Sequence, residues 1–233
     1  MSIPVLRAGQ RQFPARLALV DLDGTLVDTA PDIARAVDAT AADLGMSPPG
    51  EAQVRGWVGD GARRLVERML VNGAGGVPES LEVDRAHGLF LEHYRLNLVV
   101  DSRPMPGAQA LLARLREAGI HIACVTNKPE ILARGVLAGL ELDGPVEWLV
   151  GGDSLETRKP DPGPLRHVAE NTGFSARESV VIGDSEVDVA AARSFGAGVI
   201  CLRCGYNRGF TEPDSRPDAF VDSLSEIETE TGG

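Results

Sequence analysis

Residues 17–25 read Leu17-Ala18-Leu19-Val20-Asp21-Leu22-Asp23-Gly24-Thr25, and the reading of this stretch decides how the rest of the chain is divided. The apolar run over 17–22 stops at acids and a glycine, the pattern of a buried strand that feeds a loop. Strand alternation puts Asp21 and Asp23 on the same side at the strand's carboxyl end. A carboxylate there can serve as a covalent nucleophile in phosphoryl transfer. A second carboxyl beside it, held protonated by like-charge repulsion, can serve as a general acid. Gly24 allows a tight turn close to a ligand. An ordinary Asp-Gly turn accounts for the same residues, so the neighbouring strand ends carry the decision.

Similar apolar runs recur at 120–125 (IHIACV), 146–150 (VEWLV), 179–183 (SVVIG) and 198–202 (GVICL). Helical patterns at 107–118, 129–140, 162–172 and 186–195 separate them. The alternation predicts an α/β fold, a Rossmann-like parallel sheet of about five main strands with helices on both faces. Ligands bind beyond the carboxyl ends of such strands. Residues 29–101 break the alternation with helical patterns at about 31–44, 51–72 and 80–97 and no convincing strand. That segment follows the first strand and closes before Pro104-Met105-Pro106-Gly107, a proline-rich hinge. It is expected to form a small all-helical cap over the active edge. The expected domains are therefore a core of 1–28 and 102–233 and a cap of 29–101. The first sixteen residues read as a short tail, not a signal peptide. The last dozen, rich in Glu, Thr and Gly, are expected to fray.

Composition narrows the function classes. The chain has 233 residues, 43 % hydrophobic and 24 % charged, ordinary for a soluble globular protein. No stretch approaches the roughly 20 apolar residues that span a bilayer. The formal charge of −11 argues against nucleic-acid or anionic-membrane partners. It also means that a small anionic substrate must find its positive charge locally. Cys124, Cys201 and Cys204 make no disulfide framework. The Cys201/Cys204 pair lacks the second pair of ligands zinc needs. A cytoplasmic location is the default, and a monomer or homodimer is expected. Of the 23 basic residues only Lys128 and Lys159 are lysine, and both fall inside the motifs below.

Three further strand ends join the first. Val125-Thr126-Asn127 ends the second run, where a hydroxyl and an amide can hold phosphoryl oxygens, although either residue also suits a helix cap. Arg158-Lys159-Pro160-Asp161-Pro162 offers a compact ammonium in a chain that otherwise uses guanidinium; a solvated surface lysine is the plain alternative. Gly183-Asp184-Ser185-Glu186-Val187-Asp188 puts two carboxylates one helical turn apart, facing the same way. Such a pair suits a hard cation with oxygen ligands, Mg²⁺ above all, or simply an acidic helix start that favours the dipole. At an effective dielectric near 20, unit charges 4 Å apart interact by about 4 kcal/mol. Carboxylates facing a phosphate dianion would repel strongly, and one Mg²⁺ with one Lys⁺ supplies much of the missing positive charge.

This ordered set resembles the haloacid dehalogenase superfamily over roughly residues 16–222. It is further similar to the phosphoglycolate phosphatase branch in Trp57-Val58-Gly59-Asp60-Gly61-Ala62, Thr126-Asn127-Lys128-Pro129, Gly151-Gly152-Asp153 and Gly205-Tyr206-Asn207. The resemblance implies a Mg²⁺-dependent phosphatase with an aspartyl-phosphate on Asp21, which is also a metal ligand. Asp23 then protonates the leaving alkoxide and activates water, its backbone carbonyl on the metal. Gly24, Thr25, Thr126 and Asn127 surround the phosphoryl group, and Lys159 offsets its charge. Asp184 binds the metal and Asp188 binds or orients it. Gly59, Asp60, Gly61 and Arg63 stand where such caps carry their substrate-selecting loop. The acid at Asp23 departs from the dehalogenases, and the absence of a lysine from 29–101 departs from the phosphonate-cleaving branch. The expected substrate is a small phosphorylated metabolite, 2-phosphoglycolate first. A broader phosphatase, a pyrophosphatase, a sugar phosphomutase and a non-catalytic phosphate-binding protein are the alternatives.

Overall fold

The computed structural model describes residues 3–206, 210 and 215–230. In chain order its first half comprises β1 (Val5–Ala8), β2 (Arg11–Pro14), β3 (Leu17–Val20), β4 (Val27–Asp28), α1 (Ala30–Asp43), α2 (Glu51–Val54), α3 (Ala62–Ala74), α4 (Ser80–Leu96) and β5 (Arg103–Pro104). There follow α5 (Ala108–Glu117), β6 (His121–Val125), α6 (Glu130–Gly139), β7 (Trp148–Val150), α7 (Gly163–Thr172), β8 (Ser179–Gly183), α8 (Glu186–Phe195), β9 (Gly198–Leu202), β10 (Ala219–Val221) and β11 (Ile227–Glu230).

Six strands form one parallel sheet in the order β10-β9-β8-β3-β6-β7. Each is apolar on alternate residues of both faces. Ala18, Val20, Ile122, Cys124, Val180 and Ile182 pack with Leu111, Leu115, Val136 and Leu137 of α5 and α6. Leu17, Leu19, Val125, Val181 and Val199 pack with Leu165, Val168, Val189 and Ala192 of α7 and α8. The order β8-β3-β6 matters for chemistry. After β3 the chain builds outward through β6 and β7, then returns to build the opposite flank from β8. The sheet therefore switches direction at β3, and an α/β sheet binds its ligand in the crevice beyond the strand ends at that point.

All five expected strands form, and β10 adds a sixth at the edge of the sheet; its three-residue run, Ala219-Phe220-Val221, is too short to carry a pattern. The ends of the chain differ more. Residues 5–14 are not a loose tail but a hairpin, and residues 227–230 do not fray but form β11. Together they make an antiparallel sheet, β11-β1-β2. Leu6, Ala8, Phe13 and Ile227 are buried against the core. Phe13 lies so close to Gly198 that a Cβ there would meet its ring at 2.7 Å.

Between β4 and β5 the described chain is helical. Ile33, Val37, Val54, Leu65, Met69, Val83 and Phe90 share a separate apolar cluster that takes in Leu132 of α6. The pattern expected as one helix over 51–72 is two. Gly56, Gly59 and Gly61 interrupt it, and φ of 125° at Gly59 and 88° at Gly61 is a conformation that glycine tolerates and L side chains resist. The chain leaves and re-enters the sheet through the β4–β5 pair, in which Val27 faces Pro104. Beside it the buried carboxylate of Asp32 accepts from the N–H groups of Val100, Asp101 and Ser102 and from the Ser102 hydroxyl. Burial raises its pKa, but those donors outweigh it and hold the carboxyl below its ordinary range. No described helix is long and apolar enough to cross a membrane.

Candidate active site

Asp21 follows β3 and Asp184 follows β8, neighbouring strands at the switch point. Asp188 lies on the first turn of α8, where Ser185 caps the helix by accepting from the Asp188 N–H. The three carboxylates are buried, and one oxygen from each lies within 4.8 Å of the others. Lys159, from the loop between β7 and α7, donates to Asp21 Oδ1, to Asp188 Oδ1 and to the Val125 carbonyl, each at 2.7 Å. Its three N–H groups are thereby all engaged.

The charges do not balance within this group. Burial raises the Asp21 carboxyl to about 7; Lys159 pulls it down, while Asp188 and Asp23 push it up. Asp184 is raised well above the ordinary carboxylate range, by burial first and then by repulsion from Asp21 and Asp188, against the Tyr206 N–H. For Lys159, burial favours the neutral amine, yet Asp188 and Asp21 prevail and raise its pKa. One ammonium among three buried carboxylates leaves an excess of negative charge. An all-oxygen donor set of this kind fits a hard divalent cation, so the residues present suit a bound metal ion.

The Asp188 side chain is the most fully engaged of the three. Its Oδ1 takes Lys159, and its Oδ2 accepts from the Asp184 N–H, the Ser185 N–H and the Ser185 hydroxyl. Asp184 Oδ2 accepts from the Tyr206 N–H at 2.6 Å. Gly24, with φ of 86°, and Gly205 both pass so close to Asp184 that any Cβ would collide with its carboxylate. The Thr25 hydroxyl faces Asp184 Oδ1 at 3.5 Å. Gly24 and Thr25 therefore stand on the carboxylate side of the site, and neither lines the cavity described next.

Asp21 and Asp23 open onto a cavity of about 40 Å³ between the strand ends and the helical segment. Thr126, Asn127 and Lys128 line it from the core, and Ile33, Val58, Gly59, Gly61, Leu65, Phe90 and Tyr94 from the other side. The Asp23 side chain turns away from the three-carboxylate group. Its Oδ1 accepts from the Thr29 hydroxyl at 2.6 Å and from Lys128 Nζ at 2.7 Å. Thr126 accepts from the Lys128 N–H. Asn127 donates to the Gly59 carbonyl and the Lys159 carbonyl, and its buried Oδ1 has no partner among the described residues. In this arrangement the amide ties the glycine loop to the core instead of offering its N–H groups to the cavity.

Asp60 and Arg63 do not line that cavity. Asp60 pairs with Arg68, and Arg63 pairs with Asp84. Arg63 stands at an outer mouth with His87, Arg95 and Arg158. Two partners in the site lacked an assigned role at the level of sequence. Lys128 stood out by the scarcity of lysine and within Thr126-Asn127-Lys128-Pro129. Tyr206 was noted only within Gly205-Tyr206-Asn207, and its hydroxyl accepts from the N–H groups of Thr29 and Ala30 and donates to Asp28. Asn207 lies outside the described residues.

A family model for haloacid dehalogenase-like hydrolases matches residues 15–196. The chain is 40 % identical over 211 residues to the phosphoglycolate phosphatase of Nitrosococcus oceani, covering 91 % of this chain and 94 % of that one. It is 38 % identical over 214 residues to the phosphoglycolate phosphatase of Thiobacillus denitrificans, covering 92 % and 94 %. Among solved structures, a predicted phosphoglycolate phosphatase from Haemophilus somnus superimposes with a TM-score of 0.83 at 30 % identity, covering 91 % of this chain and 96 % of that one. The chain belongs to the haloacid dehalogenase-like hydrolases, among the phosphatases of that family.

Proposed function

We propose that the protein is a magnesium-dependent phosphomonoesterase whose preferred substrate is 2-phosphoglycolate, hydrolysed to glycolate and phosphate. The observation that carries the chemistry is the pairing of Asp21 and Asp23 on one small cavity, with Lys159 on the first and Lys128 on the second. The substrate comes from the relatives' named activity.

In this reading Lys159 fixes Asp21 Oδ1 and leaves Oδ2 for phosphorus. As the Asp21–phosphorus bond forms, the ester P–O bond breaks and Asp23 gives its proton to the departing alkoxide. Asp23 then takes a proton from the water that attacks the aspartyl-phosphate, which releases phosphate and restores both acids. Asp21 and Asp184 would hold the metal ion, with Asp188 orienting the site through Lys159 and Ser185, and magnesium there would supply positive charge to the phosphoryl oxygens and favour ionised Asp21. The helical segment acts as a cap that excludes water and positions the substrate, with Gly59, Gly61 and Val58 at the join.

The test is phosphate release from a panel of phosphomonoesters, with and without Mg²⁺, for the native chain and Asp21→Asn. The expected result is selective, Mg²⁺-dependent release from 2-phosphoglycolate, reduced on the order of 10⁴-fold or more in the variant. Turnover of 2-phosphoglycolate no better than that of nucleoside monophosphates removes the substrate and leaves the chemistry. No release from any compound removes the phosphatase reading for this site.

A further inference from the structure

Tyr94 of α4 is 1 % exposed, and its hydroxyl makes no hydrogen bond of ordinary geometry among the described residues, although the burial that raises its pKa is opposed by Lys128 close by. It stacks on Phe90 at 5.6 Å between ring centroids, a role that phenylalanine would fill equally well. A buried hydroxyl without a partner costs about 1–3 kcal/mol, so the oxygen has no packing reason to be there. Tyr94 lines the cavity, and beside it is Lys128, whose Nζ lies 4.7 Å from the centre of the tyrosine ring. Lys128 is also buried, and its Nζ donates to Asp23 Oδ1 at 2.7 Å, the one acceptor within ordinary hydrogen-bond geometry among the described residues. An ammonium carries three N–H donors. Burial opposes its charge, but Asp23 and Tyr94 outweigh that and keep it protonated. A cation with donors to spare and a hydroxyl without a well-formed hydrogen bond thus stand side by side on a cavity whose apolar lining is Ile33, Val58, Leu65, Phe90 and Leu132.

We propose that Lys128 and Tyr94 form the seat for a carboxylate carried by the substrate one carbon from its ester oxygen, and so select an anionic two-carbon phosphate over its neutral analogues. The inference rests on the phosphatase reading above and deepens it. The spacing follows from the chemistry. Asp23, as the acid, must touch the ester oxygen, and Lys128 touches Asp23. In a phosphorylated hydroxy acid of two carbons, a single methylene separates that oxygen from the carboxyl carbon. A carboxylate so tethered comes within reach of Lys128 as the ester oxygen reaches Asp23. The methylene meets the apolar wall formed by Ile33, Val58, Leu65, Phe90 and Leu132.

Lys128 could instead serve only to hold Asp23 in place, and the experiment separates the two roles. kcat/KM is measured for 2-phosphoglycolate and for 2-hydroxyethyl phosphate, in which a hydroxymethyl group replaces the carboxylate. The native chain, Tyr94→Phe and Lys128→Met are compared. The carboxylate seat predicts that Lys128→Met cuts the preference for 2-phosphoglycolate roughly 100-fold, and that Tyr94→Phe cuts it roughly tenfold, mainly through KM. Tyr94→Phe keeps the ring and its stacking, so it decides the matter even if Lys128→Met fails to fold. Equal losses on both substrates in the two variants would overturn the seat and leave Lys128 as a positioning residue for Asp23. An unchanged preference in both would overturn it as well. A native chain that hydrolyses phosphomonoesters but does not distinguish these two overturns the substrate reading and, with it, the seat, while the chemistry at Asp21 stands.

Discussion

The two walls of the cavity are built from opposite materials. The strand-end wall concentrates charge: Asp21, Asp184, Asp188 and Lys159 are all buried within a web of short hydrogen bonds. The helical wall is apolar, with Ile33, Leu65 and Phe90 facing the cavity and Tyr94 contributing a polar atom without a well-formed hydrogen bond. The difference assigns separate tasks. A wall of fixed charges acts on any phosphoryl group, because every phosphomonoester presents the same dianion. A wall of apolar side chains with few polar atoms acts on what the phosphoryl group is attached to. Substitutions in the first wall should therefore lower turnover of all substrates alike, and those in the second should alter the ranking among them.

The harshest way to break this contrast is Lys159→Met. The ammonium is 4 % exposed and bridges two carboxylates. Removing one partner of a buried ion pair costs about 3–5 kcal/mol, since the remaining charges stay buried. Loss of one charge-stabilising donor typically lowers kcat about 10²–10³-fold. Denaturant unfolding should show the lost stability, and 2-phosphoglycolate and p-nitrophenyl phosphate should lose rate by similar factors. A loss confined to one substrate would mean that Lys159 belongs to selection and that the division of labour is wrong.

A milder substitution sharpens the other side. Gly61 opens α3 with φ of 88°, and a Cβ there would approach the Asn127 carbonyl at 3.3 Å. Gly61→Val forces a β-branched residue into a left-handed conformation, at about 1–3 kcal/mol, and shifts the loop that Asn127 grips through Gly59. Misplacement of about 1 Å can cost 10²-fold in rate where positioning matters. The expected outcome is a loss of roughly tenfold or more on 2-phosphoglycolate, with little change on p-nitrophenyl phosphate, whose ring gains nothing from a carboxylate seat. Equal losses on the two would remove the loop from substrate selection.

The same contrast explains what could be read without coordinates. Asp21 and Asp184 were legible because each stands just beyond a strand end, and a buried parallel strand announces itself as an unbroken apolar run. Lys159, well past β7 in the loop before α7, stood out instead by the scarcity of lysine. The helical wall announces far less. Tyr94 occupies an inward position on an amphipathic helix, where an aromatic is ordinary, and only three-dimensional packing reveals that its hydroxyl lacks a well-formed hydrogen bond. Lys128 carried a compositional signal but no geometry. Arg63 looked like a loop residue near a substrate, yet Asp84 engages it in a surface ion pair, whereas Asp60 pairs with Arg68 and, with Asp23 and Asp184, lines a second cavity beside the carboxylates. The hairpin β1–β2 and its partner β11 escaped for a different reason: four-residue strands that pair from opposite ends of the chain leave no local periodicity long enough to detect. Likewise the clasp of Asp32 on residues 100–102 depends on a contact nearly seventy residues away along the chain.

The smallest expected effect tests the charged wall without altering a residue. Between the ordinary carboxylate value of 3.8 and about 7, folded Asp21 holds a proton that the unfolded chain releases, and Asp184 shifts in the same direction. For a group whose folded pKa is raised, the stability contribution is fully present below the unfolded value and is lost as pH rises through the folded one. Without metal, this cluster should therefore weaken the fold progressively from about pH 4 to about pH 7 or somewhat above. A divalent ion binds the ionised carboxylates and competes with those protons. Millimolar Mg²⁺ should then raise the thermal midpoint by about 5 °C near pH 8, and by much less near pH 5. Asp21→Asn removes one of the two shifted groups and should narrow the difference between the two pH values. An equal Mg²⁺ shift at both pH values, unchanged in Asp21→Asn, would place the ion elsewhere. The charged wall would then have to reach electroneutrality by holding protons, and Asp21 could not be an ionised nucleophile at neutral pH.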